Sequence, residues 1–428
     1  MVNERKEIEN IKFHSARGDK IVNVMRYVNV ETLKYQHNKQ PTNKAAGIDG
    51  VNKEIYGANI KENLNNLIEE MKSLSYKPKP VKRVYIPKDN GKLRPLGMPS
   101  YEDRLVQSQM ADILNAIYEP KFLDVSYGFR PDRNCHQAIK EINDCVMFKK
   151  VNYIIEADIK GFFDNVNHEM LMKMLEQEIK DKMFLRYIKR FLISGYMENM
   201  KYYESDKGTP QGGLISPILA NVYLYYVLDK WIVEIVKPKL KGEIYLVRFA
   251  DDFIIMLQYE EDAKKLFEAL PKRFAKYDLE LAEEKTKIIP FGRYKGTKET
   301  FDFLGFTHFN SKGRNGKYTV GHRITNKKKK QKRNKIKEFL RENMHNNLIK
   351  VIDALNRKLI GMYNYYGINN MIKELYKIYN YAIRMLYIVL KRRSQRNNLN
   401  WKSYTKIVKQ LYPIVVPTIK VNIWNYNI

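Results

Sequence analysis

The chain has 428 residues, is 44% apolar and 12% aromatic, and carries a formal net charge of +29. Such apolar content excludes a disordered chain and allows two or three domains, and the charge exceeds what solubility needs, so a polyanion partner is expected, nucleic acid before anionic membrane. Two cysteines, Cys135 and Cys145, with no Cys/His cluster exclude a zinc module and a disulfide framework, and no signal peptide or 18-residue apolar run is present.

In chain order, residues 1–40 read as polar helix, 41–50 (PTNKAAGIDG) as a loop and 51–74 as a helix with Ile60, Leu64, Leu67, Ile68 and Met71 on one face. Residues 81–99 give a hairpin signal around Asp89-Asn90-Gly91, with Lys82, Lys88 and Arg94 six residues apart. A helix over 101–120 leads to the loop Ser126–Arg133 and a helix from about 134. Tyr153–Asp158 is the next strand, followed by helices over 168–179 and 181–193 and the Gly/Pro-rich loop 207–217, which opens an apolar helix through Trp231. Residues 245–257 (YLVRFADDFIIML) read as two apolar strands, YLVRF and FIIML, around Asp251 and Asp252. A helix over 260–277 and strands over 285–292 and 301–309 complete an α+β pattern built on an antiparallel sheet. Beyond 310 the basic run Lys327–Arg333 precedes helices over 334–361 and 369–392, joined by GMYNYYG. Residues 321–428 hold 24 Lys and Arg against 4 Asp and Glu, a net of +20.

Two carboxylates between buried strands, with no Arg obliged to pair with them, need a compensating charge. Hard oxygen donors suit Mg²⁺. Asp158, at the end of another apolar strand, supplies a third carboxylate, and the set fits two-metal phosphoryl transfer with Asp158 and Asp251 bridging and Asp252 in support. The basic hairpin then suits a triphosphate, Phe162 and Phe163 a sugar face that crowds a 2′-OH, and Gln211 a nucleotide or template contact. The bland alternatives are a solvated hairpin, ordinary core for the two Phe residues and a solvated Asp-Asp turn. The isolated His168, His308 and His322 read as surface or cap residues.

The motifs AGIDGV, RPLGMPS with DRLVQ, SYGFRP, ADIKGFFDNVNHEML, GTPQGGLISPILANVYL, VRFADD, KTKIIPFG and FLGFTHF resemble, in order, the reverse transcriptase/maturase proteins of group II introns. The resemblance implies a right-hand polymerase: fingers over 1–140, a palm with antiparallel sheet and catalytic site over 141–309, and a helical thumb/maturase region over 310–428. It implies Asp158, Asp251 and Asp252 as catalytic. Asp158, Ile159, Asp251 and Asp252 would hold two Mg²⁺ (Mn²⁺ as an alternative), and Lys82, Lys88, Arg94, Phe162, Phe163 and Gln211 the nucleotide. RNA contacts are expected at Lys327, Lys328, Lys329, Lys330, Arg333, Tyr363, Tyr365, Lys391, Arg392 and Arg393, from charge with interleaved aromatics. The expected partners are intron RNA or another RNA template, a DNA primer or target, and dNTPs, with no membrane, an open option of a homodimer, and a bacterial cytoplasmic, nucleoid-associated location.

Two departures stand out. Phe249 occupies the position that the family's usual box gives to Tyr, where the ring packs beside the primer end and the lost hydroxyl tunes rate or fidelity. The chain also ends soon after Trp424 without the Cys-rich endonuclease of many relatives, so a primer from elsewhere, such as a nascent strand at a replication fork, is expected. Beside the reading as RNA-directed DNA polymerase and maturase in splicing and retrohoming stand two others. One is a stand-alone reverse transcriptase serving its host in repair or antiviral defence. The other is a non-catalytic RNA-binding splicing factor, against which the intact carboxylates speak.

Overall fold

The computed structural model describes residues 2–87, 93–209, 212–313, 315–393 and 398–424, with the main chain alone for 2–5. Lys88, the turn Asp89-Asn90-Gly91 and Gln211 lie outside the described residues. The chain divides into two compact units, one of Met1–Asn134, Ala157–Ile255 and Glu261–Lys287, the other of Cys135–Glu156, Met256–Glu260 and Ile288–Ile428.

The first unit opens with α1 (Val2–Ala16), α2 (Val30–Lys39), α3 (Lys53–Ala58) and α4 (Ile60–Lys72). The expected long N-terminal helix is thus two. Gly18 turns the chain with φ +82°, and Asn29 and Thr32 form a reciprocal cap that starts α2. α4 buries Leu64, Leu67, Ile68 and Met71, the helical spacing of its apolar stripe. Strands β1 (Val81–Pro87) and β2 (Leu93–Met98) pair antiparallel, and Ser100 caps α5 (Tyr101–Tyr118).

α6 (Cys135–Phe148) belongs to the second unit, the end of β3 (Tyr153–Asp158) returns to the first, and α7 (Phe162–Asn165), α8 (His168–Glu178) and α9 (Lys182–Ile193) follow. Two short strands that the sequence did not announce, β4 (Tyr196–Glu198) and β5 (Lys201–Tyr203), extend the hairpin into a sheet of order β2-β1-β4-β5. α10 (Ser216–Leu224) runs on through wider π-type turns to Val236. Strands β6 (Ile244–Phe249) and β7 (Asp252–Leu257) are joined by Ala250 and Asp251 alone, a connection that only antiparallel neighbours allow. α11 (Glu260–Ala275) and β8 (Lys287–Pro290) follow, and the sheet order β6-β7-β3-β8 sets β3 beside β7.

In the second unit, β9 (Thr300–Phe303), β10 (Phe306–Lys312) and β11 (Tyr318–Ile324) form an antiparallel sheet. The stretch expected as one strand over 301–309 is two, turned at Leu304 and Gly305, both at positive φ. Then come the helices α12 (Asn326–Glu342), α13 (Leu348–Tyr366), α14 (Ile372–Lys391) and α15 (Trp401–Lys406). The expected helix over 334–361 is therefore split, and the basic run lies inside α12. Most of GMYNYYG is the last turn of α13 rather than a joint. Tyr363 is 1% exposed and donates its hydroxyl to the Val415 carbonyl, and the half-buried Tyr365 donates to the Leu304 carbonyl. The buried Tyr363 serves packing, a correction to its assignment to RNA.

The histidines also differ from expectation. His168 is buried at the start of α8, 2.6 Å from the Gly208 carbonyl. His308 is 0% exposed, stacked on Phe301 at 4.6 Å and edge-on to His322, whose Nε2 lies 3.0 Å from Asn143 Oδ1. Strand alternation carries His308 inward with Phe306. Burial lowers both rings, His322 to about 4 and His308 well below its usual value. The folded state therefore holds both neutral while the unfolded chain takes up protons below about 6.5. Stability contributed by the pair is complete above that value and falls with pH toward 4, by about 1.4 kcal/mol per pH unit for each histidine. Thermal melts from pH 7.5 to 5 should show this slope, and His322→Gln should flatten it; an equal slope in the variant assigns the pH dependence elsewhere.

Candidate active site

The site is built on main-chain contacts between the motif loops. The Ser126–Arg133 loop lies along β6: Tyr127 N donates to Arg248 O at 2.9 Å, and Arg248 N to Val125 O at 2.8 Å. Gly128 meets the carboxylate turn so closely that a Cβ there would stand 2.4 Å from Ala250 N and 2.9 Å from Phe249 C. Gly128→Ala is accordingly expected to cost about 1–3 kcal/mol through overpacking and to displace the turn; a denaturation midpoint equal to the parent's would show that the turn has slack. Gly212 approaches β2 as tightly, its notional Cβ 2.1 Å from Gly97 O. Leu214 N donates to Gln107 Oε1 on α5 at 2.9 Å, and Arg104 Nε to Pro99 O at 3.0 Å.

Beneath the turn lies a fully buried ion pair that the sequence reading missed. Arg248 is 0% exposed and forks onto Asp229 with Nε–Oδ1 2.7 Å and Nη2–Oδ2 2.6 Å. Its Nη1 donates to Asn221 Oδ1 and to Ala250 O, each at 3.0 Å, while Asn221 Nδ2 donates to Gly128 O at 2.8 Å. Arg248 thus holds the non-glycine Ala250, at φ +56°, in the left-handed turn that presents the two Asp residues. Arg248 and Asp229 are single charges inside the apolar runs YLVRF and YLYYVLD, and that isolation was the available signal.

Asp158 ends β3, Asp252 opens β7, and Asp251 lies in the turn before it. The structure brings the three together: Asp252 shares a side-chain hydrogen bond with Asp158, and the charge of Asp158 acts on both its neighbours. Asp251 is pushed up by burial and by Asp158, against the opposing pull of Arg94 and Lys285. Asp252 is pushed up to about 7, first by burial and then by Asp251 and Asp158. Its side chain still reaches solvent, so repulsion between like charges is the cause that a bound cation relieves. Lys285, a second residue the sequence reading missed, bonds Asp158 directly. Ile159 pairs with Leu281 through bonds on the flanking residues, Lys160 N to Glu280 O and Ala282 N to Asp158 O, both 2.8 Å, which leaves its own carbonyl outside that pairing.

The donor set is hard oxygen throughout, and its excess negative charge is met by an ammonium, so its chemistry fits Mg²⁺ or Mn²⁺. Among the described residues no group of three or more His, Cys, Asp or Glu side chains is arranged to hold a metal ion by itself. Mg²⁺ characteristically takes one or two carboxylates and completes its shell with water and substrate phosphate, so an open set is the appropriate one.

Around this cluster, Lys82 faces Met98 and Arg94 faces Ile86 across the β1–β2 pair. That register sets both cations on one face of the hairpin, about 13 Å apart along the strand, and both are exposed. Phe162 is 2% exposed, packed edge-on against Phe163 at 5.4 Å and tilted against Tyr223. It is a core residue, a correction to its assignment to the nucleotide. Phe163 is half-buried and lines a cleft of about 570 Å³ with Asp164, Asn167, Arg83 and Lys207. In the second unit Lys327, Lys330, Lys391 and Arg392 are exposed. Lys329 is tied to Glu374 at 2.6 Å, Arg333 lies over Tyr381, and Arg393 grips the carbonyls of Met344 and Asn346.

The family model described as reverse transcriptase (RNA-dependent DNA polymerase) matches residues 86–308, and the chain belongs to that family. The group II intron-encoded protein LtrA of Lactococcus lactis subsp. cremoris is 36% identical over 283 residues, 61% of this chain and 47% of its own length. Protein YkfC of Escherichia coli (strain K12) is 32% identical over 319 residues, 66% of this chain and 80% of its own. The putative COX1/OXI3 intron 1 protein of Saccharomyces cerevisiae is 34% identical over 234 residues, 53% of this chain and 27% of its own. The chain thus spans about half the length of the Lactococcus relative.

Proposed function

We propose that this chain is an RNA-directed DNA polymerase working by two-metal nucleotidyl transfer, and that it also binds its intron RNA as a maturase in splicing and retrohoming. The carrying observation is the cluster of Asp158, Asp251 and Asp252 at the ends of neighbouring strands, in a chain of the reverse transcriptase family. In this reading residues 1–140 are fingers, 141–309 palm and 310–428 thumb and maturase region.

Two divalent ions, when bound, activate the primer 3′-oxygen and neutralise the leaving pyrophosphate. Asp158, Asp251 and Asp252, with the Ile159 carbonyl, would hold them. Arg94 meets the triphosphate nearest the carboxylates and Lys82 stands farther along the same face. Phe163 crowds the sugar C2′ position, and the Arg248 pair keeps the Asp turn from relaxing between turnovers. Lys327, Lys330, Lys391 and Arg392 offer phosphate contacts to the RNA.

Primer extension on an RNA template with dNTPs and Mg²⁺ tests the polymerase reading, and salt-dependent retention of intron RNA tests the maturase reading. Phe163→Val is expected to raise use of ribonucleotides relative to deoxynucleotides by about ten-fold or more, the discrimination a small pocket change confers. An unchanged ratio of kcat/KM values removes Phe163 from sugar selection.

A further inference from the structure

Lys285 bonds Asp158 through Oδ2, an oxygen that, on the function proposed above, a divalent ion would take. The turn that carries it, Glu283–Lys285, is fastened to the end of β3 by Ala282 N to Asp158 O at 2.8 Å. Lys160 N to Glu280 O, also 2.8 Å, fastens the segment just before the turn. The two main-chain bonds keep the lysine within reach of the carboxylate whatever its side chain does. The side chain itself is free to leave: Lys285 is 59% exposed and Asp158 21%, and ion pairs this open contribute little to folding. An ammonium on a four-carbon stem can swing away in a way that a bidentate guanidinium resists. Lys285 also bears on Asp251 and Asp252, opposing the upward push on both.

The geometry points to Lys285 as a built-in competitor for the divalent cation: its ammonium bonds Asp158 Oδ2 and must vacate that oxygen when an ion enters. Lys285 thereby sets the metal concentration at which the site fills. This inference rests on the metal-site reading above, and it concerns binding rather than turnover. Removal of a tethered positive charge strengthens cation binding by relieving both occupation and repulsion.

Mn²⁺ binding to the full chain without nucleotide, followed by electron paramagnetic resonance, tests it. Lys285→Met is expected to bind Mn²⁺ about five-fold more tightly than the parent, the size of a partly exposed ion pair, while Lys285→Arg binds no more tightly than the parent. Lys285→Met should also gain more in melting temperature than the parent on addition of the same Mn²⁺ concentration. Unchanged or weakened binding by Lys285→Met overturns the inference. Asp251→Asn/Asp252→Asn separates the two levels: if it binds Mn²⁺ as the parent does, the metal-site reading fails and the inference with it. If it loses the ion while Lys285→Met matches the parent, the inference alone fails.

Discussion

Asp251→Asn/Asp252→Asn is expected to abolish RNA-templated extension, by about a thousand-fold or more, while leaving the protein as stable as the parent or slightly more so. The activity loss follows from removing the charges that would hold the ions: several kcal/mol of transition-state stabilisation depend on them, and each 1.36 kcal/mol is ten-fold in rate. The retained stability follows from the present state of the site. Asp251 and Asp252 are both pushed up by burial and by one another's or Asp158's charge, so the folded protein bears a like-charge conflict that an amide relieves. Single-nucleotide extension and a denaturant titration on the same preparation give both quantities. Residual extension near the parental rate, with the fold intact, would sink the polymerase assignment.

The opposite pattern is expected one layer down. Arg248→Met leaves Asp229 buried and unpaired, at a cost of about 3–5 kcal/mol. It also removes the donor to Ala250 O and Asn221 Oδ1, so the turn relaxes and extension falls with stability. Adding Asp229→Leu removes the stranded carboxylate, and the double variant should recover most of the stability, since well-packed apolar replacements of buried pairs are often neutral. Extension should not recover, because no donor returns to the Ala250 carbonyl. A double variant as unstable as Arg248→Met, or one that is fully active, contradicts this division of roles.

How much of this was legible follows from what each signal depends on. Apolar runs bounded by turn residues placed β3, β6 and β7, and with them the three carboxylates, because strand ends are fixed by local chemistry. Which Phe of Phe162-Phe163 turns inward depends on the packing of α7 against Tyr223, and no spacing rule reads that. β4 and β5, three residues each, exist because β1 offers an edge; alone they carry too little pattern. The basic run carries no apolar stripe of its own and reads as preceding the helix, yet α12 runs through it. Thr325 caps its start, Ile336 and Leu340 bury one face, and Glu374 neutralises Lys329. The His308 burial was readable from alternation with Phe306, and the isolated Arg248 and Asp229 from their apolar surroundings. Lys285 was not readable, since a lysine in EEKTK is ordinary until a strand end 127 residues away in sequence is brought to it.

The glycine contacts carry a consequence for engineering. Gly128 is seated on the main chain of the Asp turn, and Gly212 on the main chain of β2 at Gly97. Segments that meet backbone to backbone have no side chains between them to repack. In a chimaera that takes one of these loops from a relative, a shift of even a fraction of an ångström has nowhere to be absorbed. The interchangeable pieces of this protein are therefore two pairs, the Ser126–Arg133 loop with the carboxylate turn and the Gly212 loop with the β1–β2 hairpin, each moved as a unit.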